Sequence, residues 1–195
     1  MLARSVALAL SLSACAGVAS ADVVLNASVN VDNQFTAFIS TNPNVQGTPF
    51  LNGNNWPTTF SGNFNFTSAG TYYLQVLAED TGAPAMFIGS FTLSTPEGTF
   101  SNGTQALLTG GLNWMSSPVG FGAPGAPPVV IGPNGTGPWG NIPALGAAEY
   151  VWAPFVAGTP TNLGYFWTTI TIVPTPGAAS MVALGGLVMA RRRRA

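Results

Sequence analysis

An antiparallel β-sandwich, most simply a jelly roll, is the fold class that this sequence predicts, and three observations carry it. Apolar residues alternate with polar ones instead of recurring every three to four positions. The 24 glycines and 16 prolines, a fifth of the 195 residues, fall between the alternating runs and not in a periodic repeat. Between those runs no helical segment is long enough to cross over between parallel strands, so the strands must be joined as antiparallel neighbours.

The runs follow in order. Val23, Leu25, Ala27, Val29 and Val31 are interleaved with Asn26, Ser28 and Asn30, which predicts a half-buried strand, and a second begins at Phe35 after the turn residues Asp32 and Asn33. Phe60, Phe64 and Phe66 share one face of the next, and Tyr72, Leu74, Val76 and Ala78 one face of the run ending at Glu79. Met86 to Ser94 and Gly164 to Ile172 are rich in aromatic and β-branched residues, which suit a pleated surface. Shorter candidates lie at Gln105 to Thr109, Leu112 to Met115, Pro128 to Ile131 and Glu149 to Ala153. Ser116 to Pro143 reads as a loop-rich exception of the length that carries function or moves.

Charge narrows the function classes. The only basic residues are Arg4 and Arg191 to Arg194, and there is no His. Residues 22–173 therefore hold six acids and no cation, which disfavours nucleic acid and anionic lipid as partners. With no His and a single Cys at position 15, the usual catalytic triads and the zinc and copper sites have no members, and no disulfide can form within the chain. Any enzyme here would have to work with Asp22, Asp32, Glu79, Asp80, Glu97 and Glu149, whose spacing reveals no catalytic pair and reads as solvated turn acids. The expectation is a non-enzymatic protein, with a carboxylate-only hydrolase as the remote alternative.

Both ends read as addresses. Arg4, an apolar stretch from Val6, and Ala19-Ser20-Ala21 make a secretory signal peptide over residues 1–21, cleaved after Ala21. Leu12-Ser13-Ala14-Cys15 resembles the lipobox of bacterial lipoproteins, whose cysteine is acylated, and stands as the rival reading. At the other end Pro174-Thr175-Pro176 precedes an apolar run from Gly177 to Ala190 and four arginines, Arg191, Arg192, Arg193 and Arg194. As a helix that run would reach about 21 Å against roughly 30 Å of hydrocarbon, enough for transient insertion with the arginines on the cytoplasmic side.

The tail, residues 174–195, resembles the PEP-CTERM sorting signal of bacterial surface proteins: a Pro-Glu-Pro motif, a short apolar segment and an arginine-rich end in that order. Thr175 replaces the central Glu. The resemblance implies export, retention by the tail and processing by an exosortase-type membrane enzyme, with a cell-surface or extracellular destination. Most of residues 28–172, through DNQFTAFIST, NNWPTTF, GTYYLQVLAEDTGAPAMFIGSFTLS, NGTGPWGNIPALGAAEYVWAP and YFWTTITI, is also similar to galactose-binding-like jelly-roll domains.

Two tryptophans supply the only hint of a ligand. Trp56 follows Asn54-Asn55, and Trp139 lies in Pro138-Trp139-Gly140-Asn141; both contexts are turns, whereas Trp114, Trp152 and Trp167 lie in strand-like runs and read as core. An indole flanked by amides, as with Asn55 and Asn141, can stack on a neutral sugar and hydrogen-bond its hydroxyls, so a neutral polysaccharide is the alternative partner; the competing reading makes both rings plugs that close the sandwich. No cofactor is required. Asp32 and Asp80, each at the end of a strand with Asn33 and Thr81 nearby, are the weak candidates for a structural Ca²⁺. The four sequons, at Asn26, Asn65, Asn102 and Asn134, mean little as glycan acceptors in a bacterium with this tail.

Overall fold

Alternation becomes twelve strands in the computed structural model, which describes residues 20–174. Residues 1–19 of the expected signal peptide, with the lipobox-like Cys15, and Thr175, Pro176 and Arg191 to Arg194 of the expected sorting signal lie outside the described residues. Along β1 (Ser20–Asp32) Val23, Leu25, Ala27, Val29 and Val31 are all buried, as the period-two pattern requires. Its neighbours are β4 (Phe60–Ser68) and β6 (Met86–Leu93), each paired antiparallel along most of its length.

Two six-stranded antiparallel sheets form. The first runs β10 (Val129–Pro133), β11 (Glu149–Trp152), β6, β1, β4, with the short β8 (Ala106–Leu108) also on β6. The second runs β3 (Thr48–Gly53), β2 (Gln34–Ser40), β5 (Gly70–Glu79), β12 (Leu163–Ile172), β7 (Gly98–Phe100), with β9 (Met115–Ser117) also on β12. Among the described residues the one helical element is a 3-10 turn, Pro143–Leu145.

The inner faces meet in one aromatic-rich core. Phe87 of the first sheet packs on Phe166 of the second with ring centroids 4.8 Å apart, and Trp114 meets Phe87 edge-on at 5.6 Å. Phe50 and Phe64, from the two edge strands β3 and β4, close one side at 6.0 Å. Aromatic pairs of this kind add about 0.5–1.5 kcal/mol each beyond the area they bury.

Both sheets are also covered on parts of their outer faces. Over the first, Met86, Ile88, Trp139, Leu145, Ala148 and Tyr150 form a second apolar cluster. Over the second, Phe121 packs on Phe38, Tyr165 and Trp167. Trp167 is therefore not core: Phe166, Thr168 and Ile170 face inward on β12, and Trp167 is half-buried on the opposite face. Trp114 is buried in the core and Trp152 is half-buried against it. The Leu112 to Met115 strand is displaced to Met115–Ser117, leaving Leu112 in an exposed turn. Within the loop-rich stretch, β10 begins one residue later than expected and runs on to Pro133.

Candidate functional site

The segments carrying most of the candidate residues gather at one end of the sandwich. The turn between β1 and β2, the segment 54–59 between β3 and β4, and the residues after β5 all lie there. Gly53 sets the departure of the second of these: a Cβ on it would stand 2.6 Å from Phe60 Cε2 and 2.7 Å from Phe35 Cε1, so only glycine admits the Phe35–Phe60 ring pair.

Asn55 is spent on its own turn, accepting the Thr58 N–H through its carbonyl and donating Nδ2 to Thr58 Oγ1 at 2.9 Å. Trp56 is held by its backbone, whose carbonyl accepts Asn30 Nδ2 at 3.0 Å, and the residue remains 38% exposed. The segment between β10 and β11 is organised by Asn134: its Nδ2 donates to the Ile142 and Gly146 carbonyls, and its Oδ1 accepts the Ile142 N–H at 2.8 Å. This amide, one of the four sequon asparagines, is a structural hub. Tyr150 beneath it donates its hydroxyl to the Gly140 carbonyl.

These two segments enclose an open cleft of about 320 Å³ lined by Trp56, Pro57, Thr59, Trp139, Asn141 and Ile142, among others. Three of the four residues singled out as a sugar platform thus share one wall system, and Asn55 does not belong to it. The two rings differ in kind. Trp139 is only 8% exposed, stacks on Tyr150 at 5.1 Å and donates Nε1–H to Asp32 Oδ2 at 2.9 Å. It is a plug that also shows a wall to the cleft, whereas Trp56 is the presented ring. A second groove of about 390 Å³ is lined by Gln34, Thr36, Asn52, Asn54, Phe60 and Glu79, among others. Gln34 Nε2 donates to Glu79 Oε2 there at 2.7 Å.

Asp32 and Asp80 require correction. Both read as solvated turn acids, yet each is only 7% exposed. Burial holds the Asp32 carboxyl above the usual carboxylate range, the Trp139 N–H works against that shift, and the charge of Asp80 adds to it. The two carboxylates are thus electrostatic neighbours, but neither lines either cleft. Among the described residues no group of three or more His, Cys, Asp or Glu gathers to hold a metal, and no helix is long and apolar enough to cross a membrane.

Nothing in the sequence assigns Asn30, Asn134 or Tyr150 the roles they have here. Asn30 sits at a polar position of an alternating strand, where nothing local signals that a distant loop will cover it. Searches against protein-family models, curated proteins and solved structures find no match to this chain.

Proposed function

We propose that the protein is an exported, non-enzymatic cell-surface or extracellular-matrix protein, sorted and processed through residues 174–195, with a sandwich of the galactose-binding-like jelly-roll type. The observation that supports this reading is a match of boundaries. Strand β1 begins at Ser20 but pairs without a register shift from Val23, and β12 ends at Ile172, so the regular strand pairing falls between the expected cleavage after Ala21 and the Pro174-Thr175-Pro176 motif. Cell fractionation with intact-mass measurement tests it. Mature protein beginning at Asp22 is expected at the surface, and neutral residues at Arg191 to Arg194 should change its retention and mature mass. Unchanged display and unchanged mass in that variant would refute the sorting role, and an acylated Cys15 would make the chain a lipoprotein instead.

One observation favours a second, compatible reading, recognition of a neutral glycan. Trp56 and Asn141, 85 positions apart, line one cleft with Trp139. An exposed indole beside an amide and a threonine hydroxyl offers stacking and neutral hydrogen bonds, and the absence of any cation in residues 22–173 selects against anionic ligands. A glycan array with the mature protein tests this reading, and an array with no neutral glycan bound would refute it.

A further inference from the structure

Buried carboxylates need a counter-charge, a proton or a full set of hydrogen bonds, and residues 20–174 contain no Lys, Arg or His to supply the first. Asp32 and Asp80 stand in that condition on adjoining segments, where the Asn33 N–H donates to the Glu79 carbonyl at 2.8 Å and the Thr81 N–H donates to Asn33 Oδ1 at 2.6 Å. The fold uses one oxygen of each: Asp32 Oδ2 accepts Trp139 Nε1–H at 2.9 Å, and Asp80 Oδ1 accepts the Gly82 N–H at 2.9 Å. Asp32 Oδ1 is buried with no hydrogen-bond partner.

A second orphan lies close by. Asn30 is on the same face of β1 two residues earlier, only 1% exposed, and while its Nδ2 is paired with the Trp56 carbonyl its Oδ1 has no partner. Buried polar atoms without partners are rare in folded proteins and costly. Both orphans are acceptor oxygens on one face of one strand end, next to a further carboxylate. A proton on Asp32 would need an acceptor within reach and would leave the amide oxygen of Asn30 as it is. A hard cation satisfies carboxylate and amide oxygens alike and cancels the paired charge.

We propose that Asp32, Asp80 and the amide oxygen of Asn30 hold a divalent cation of the calcium class, which locks the Trp139 segment onto the end of β1. The donor set excludes thiol- and imidazole-seeking metals, and mixed carboxylate and amide oxygens in irregular loops suit Ca²⁺ better than Mg²⁺, which demands a near-ideal octahedron.

Calorimetric titration of chelator-treated mature protein with Ca²⁺ near neutral pH, paired with thermal unfolding, tests the site. One ion per chain is expected, with a dissociation constant at or below about 1 mM, as for extracellular modules, and a rise in Tm that chelator reverses. Asp80→Asn should weaken binding about tenfold or more, and Asn30→Asp, which adds a charged ligand, should tighten it. The second variant separates ligation from folding, because a merely structural Asn30 would not improve affinity on gaining a charge. No heat and no change in Tm up to about 10 mM Ca²⁺ would overturn the proposal, as would Asn30→Asp binding no more tightly than the parent protein. The glycan array is independent of this result, so each reading fails by its own measurement.

Discussion

Trp139 donates its indole N–H to Asp32 Oδ2 across 2.9 Å, a buried bond between residues 107 positions apart in the chain. It fastens the segment between β10 and β11 to the end of β1, and the ring brings Tyr150, Met86, Ile88 and Leu145 into an apolar cluster outside the main core. An outer sheet face that its own strands leave partly polar is thereby sealed by a segment from the far end of the sequence.

Trp139→Phe and Trp139→Ala should separate the two parts of this contact. The Phe variant keeps most of the apolar packing and removes the donor, leaving Asp32 Oδ2 unpaired, so a loss of about 1–3 kcal/mol is expected. The Ala variant adds a cavity and should cost about 3–5 kcal/mol. Urea unfolding in calcium-free buffer measures both. Equal stability of the Phe variant and the parent would mean that the indole bond does not stabilise the fold.

Tyr150 predicts an alkaline weakness. The side chain is fully buried, and burial raises its phenol pKa above the ordinary value of 10.0, with the Gly135 backbone amide opposing the shift. A raised folded pKa means that the native state holds its proton more tightly than the unfolded chain. The associated stability is complete below the ordinary tyrosine pKa and is lost as pH rises through the folded value. Unfolding curves should therefore show a loss of stability at alkaline pH that is smaller in Tyr150→Phe, which at neutral pH gives up the bond to Gly140 at about 1 kcal/mol. The same alkaline slope in both proteins would assign it to other groups.

Gln75 should behave as a clamp. It is fully buried on the outer face of β5, its Nε2 faces the Asn42, Pro43 and Val45 carbonyls at 3.5, 3.2 and 3.1 Å, and its Oε1 accepts the Gly47 N–H at 3.0 Å. Gln75→Leu strips these partners from the segment between β2 and β3, at about 1–3 kcal/mol for each group that stays dry. Gln75→Glu keeps the shape but loses the donors, so it should destabilise in the same direction. Amide hydrogen exchange at Gly47 reports the clamp directly, and unchanged protection in Gln75→Leu would contradict it.

Local pattern reaches as far as local causes do. Val23 to Val31, Phe60 to Phe66 and Tyr72 to Ala78 each bury one parity of residues against the core, so alternation alone places them. β3 was missed because Pro49, Asn52 and Gly53 interrupt its pattern, which an edge strand with one partner tolerates. Trp167 was assigned to the wrong face because Tyr165 and Trp167 interleave with Phe166 and Ile170, giving β12 two apolar parities. Asn30 and Asp32 read as polar or solvated positions for the same reason that they are informative: what covers them, as with the buried Gln75, comes from segments distant in sequence, and no spacing within their own strands encodes it. Of the candidate site, the turn tryptophans were legible, and the burial that divides their roles was not.

That division sets the test of glycan recognition on Trp56 and not on Trp139. Truncating Trp139 removes packing and a buried hydrogen bond together, so a loss of binding there would report folding. Trp56 is 38% exposed, and its anchor is the backbone carbonyl bonded to Asn30, which survives a change of side chain. Trp56→Ala should therefore leave stability within about 0.5 kcal/mol, as for a surface substitution. If the cleft binds a neutral sugar on the indole, the same change should remove about 1–3 kcal/mol of affinity, the scale for burying a large side chain. The contact contains no charge pair, so affinity should hold in about 0.5 M salt, where the Debye length is too short for charge steering. A ligand bound by Trp56→Ala as tightly as by the parent, or one released by salt, would place recognition away from this cleft.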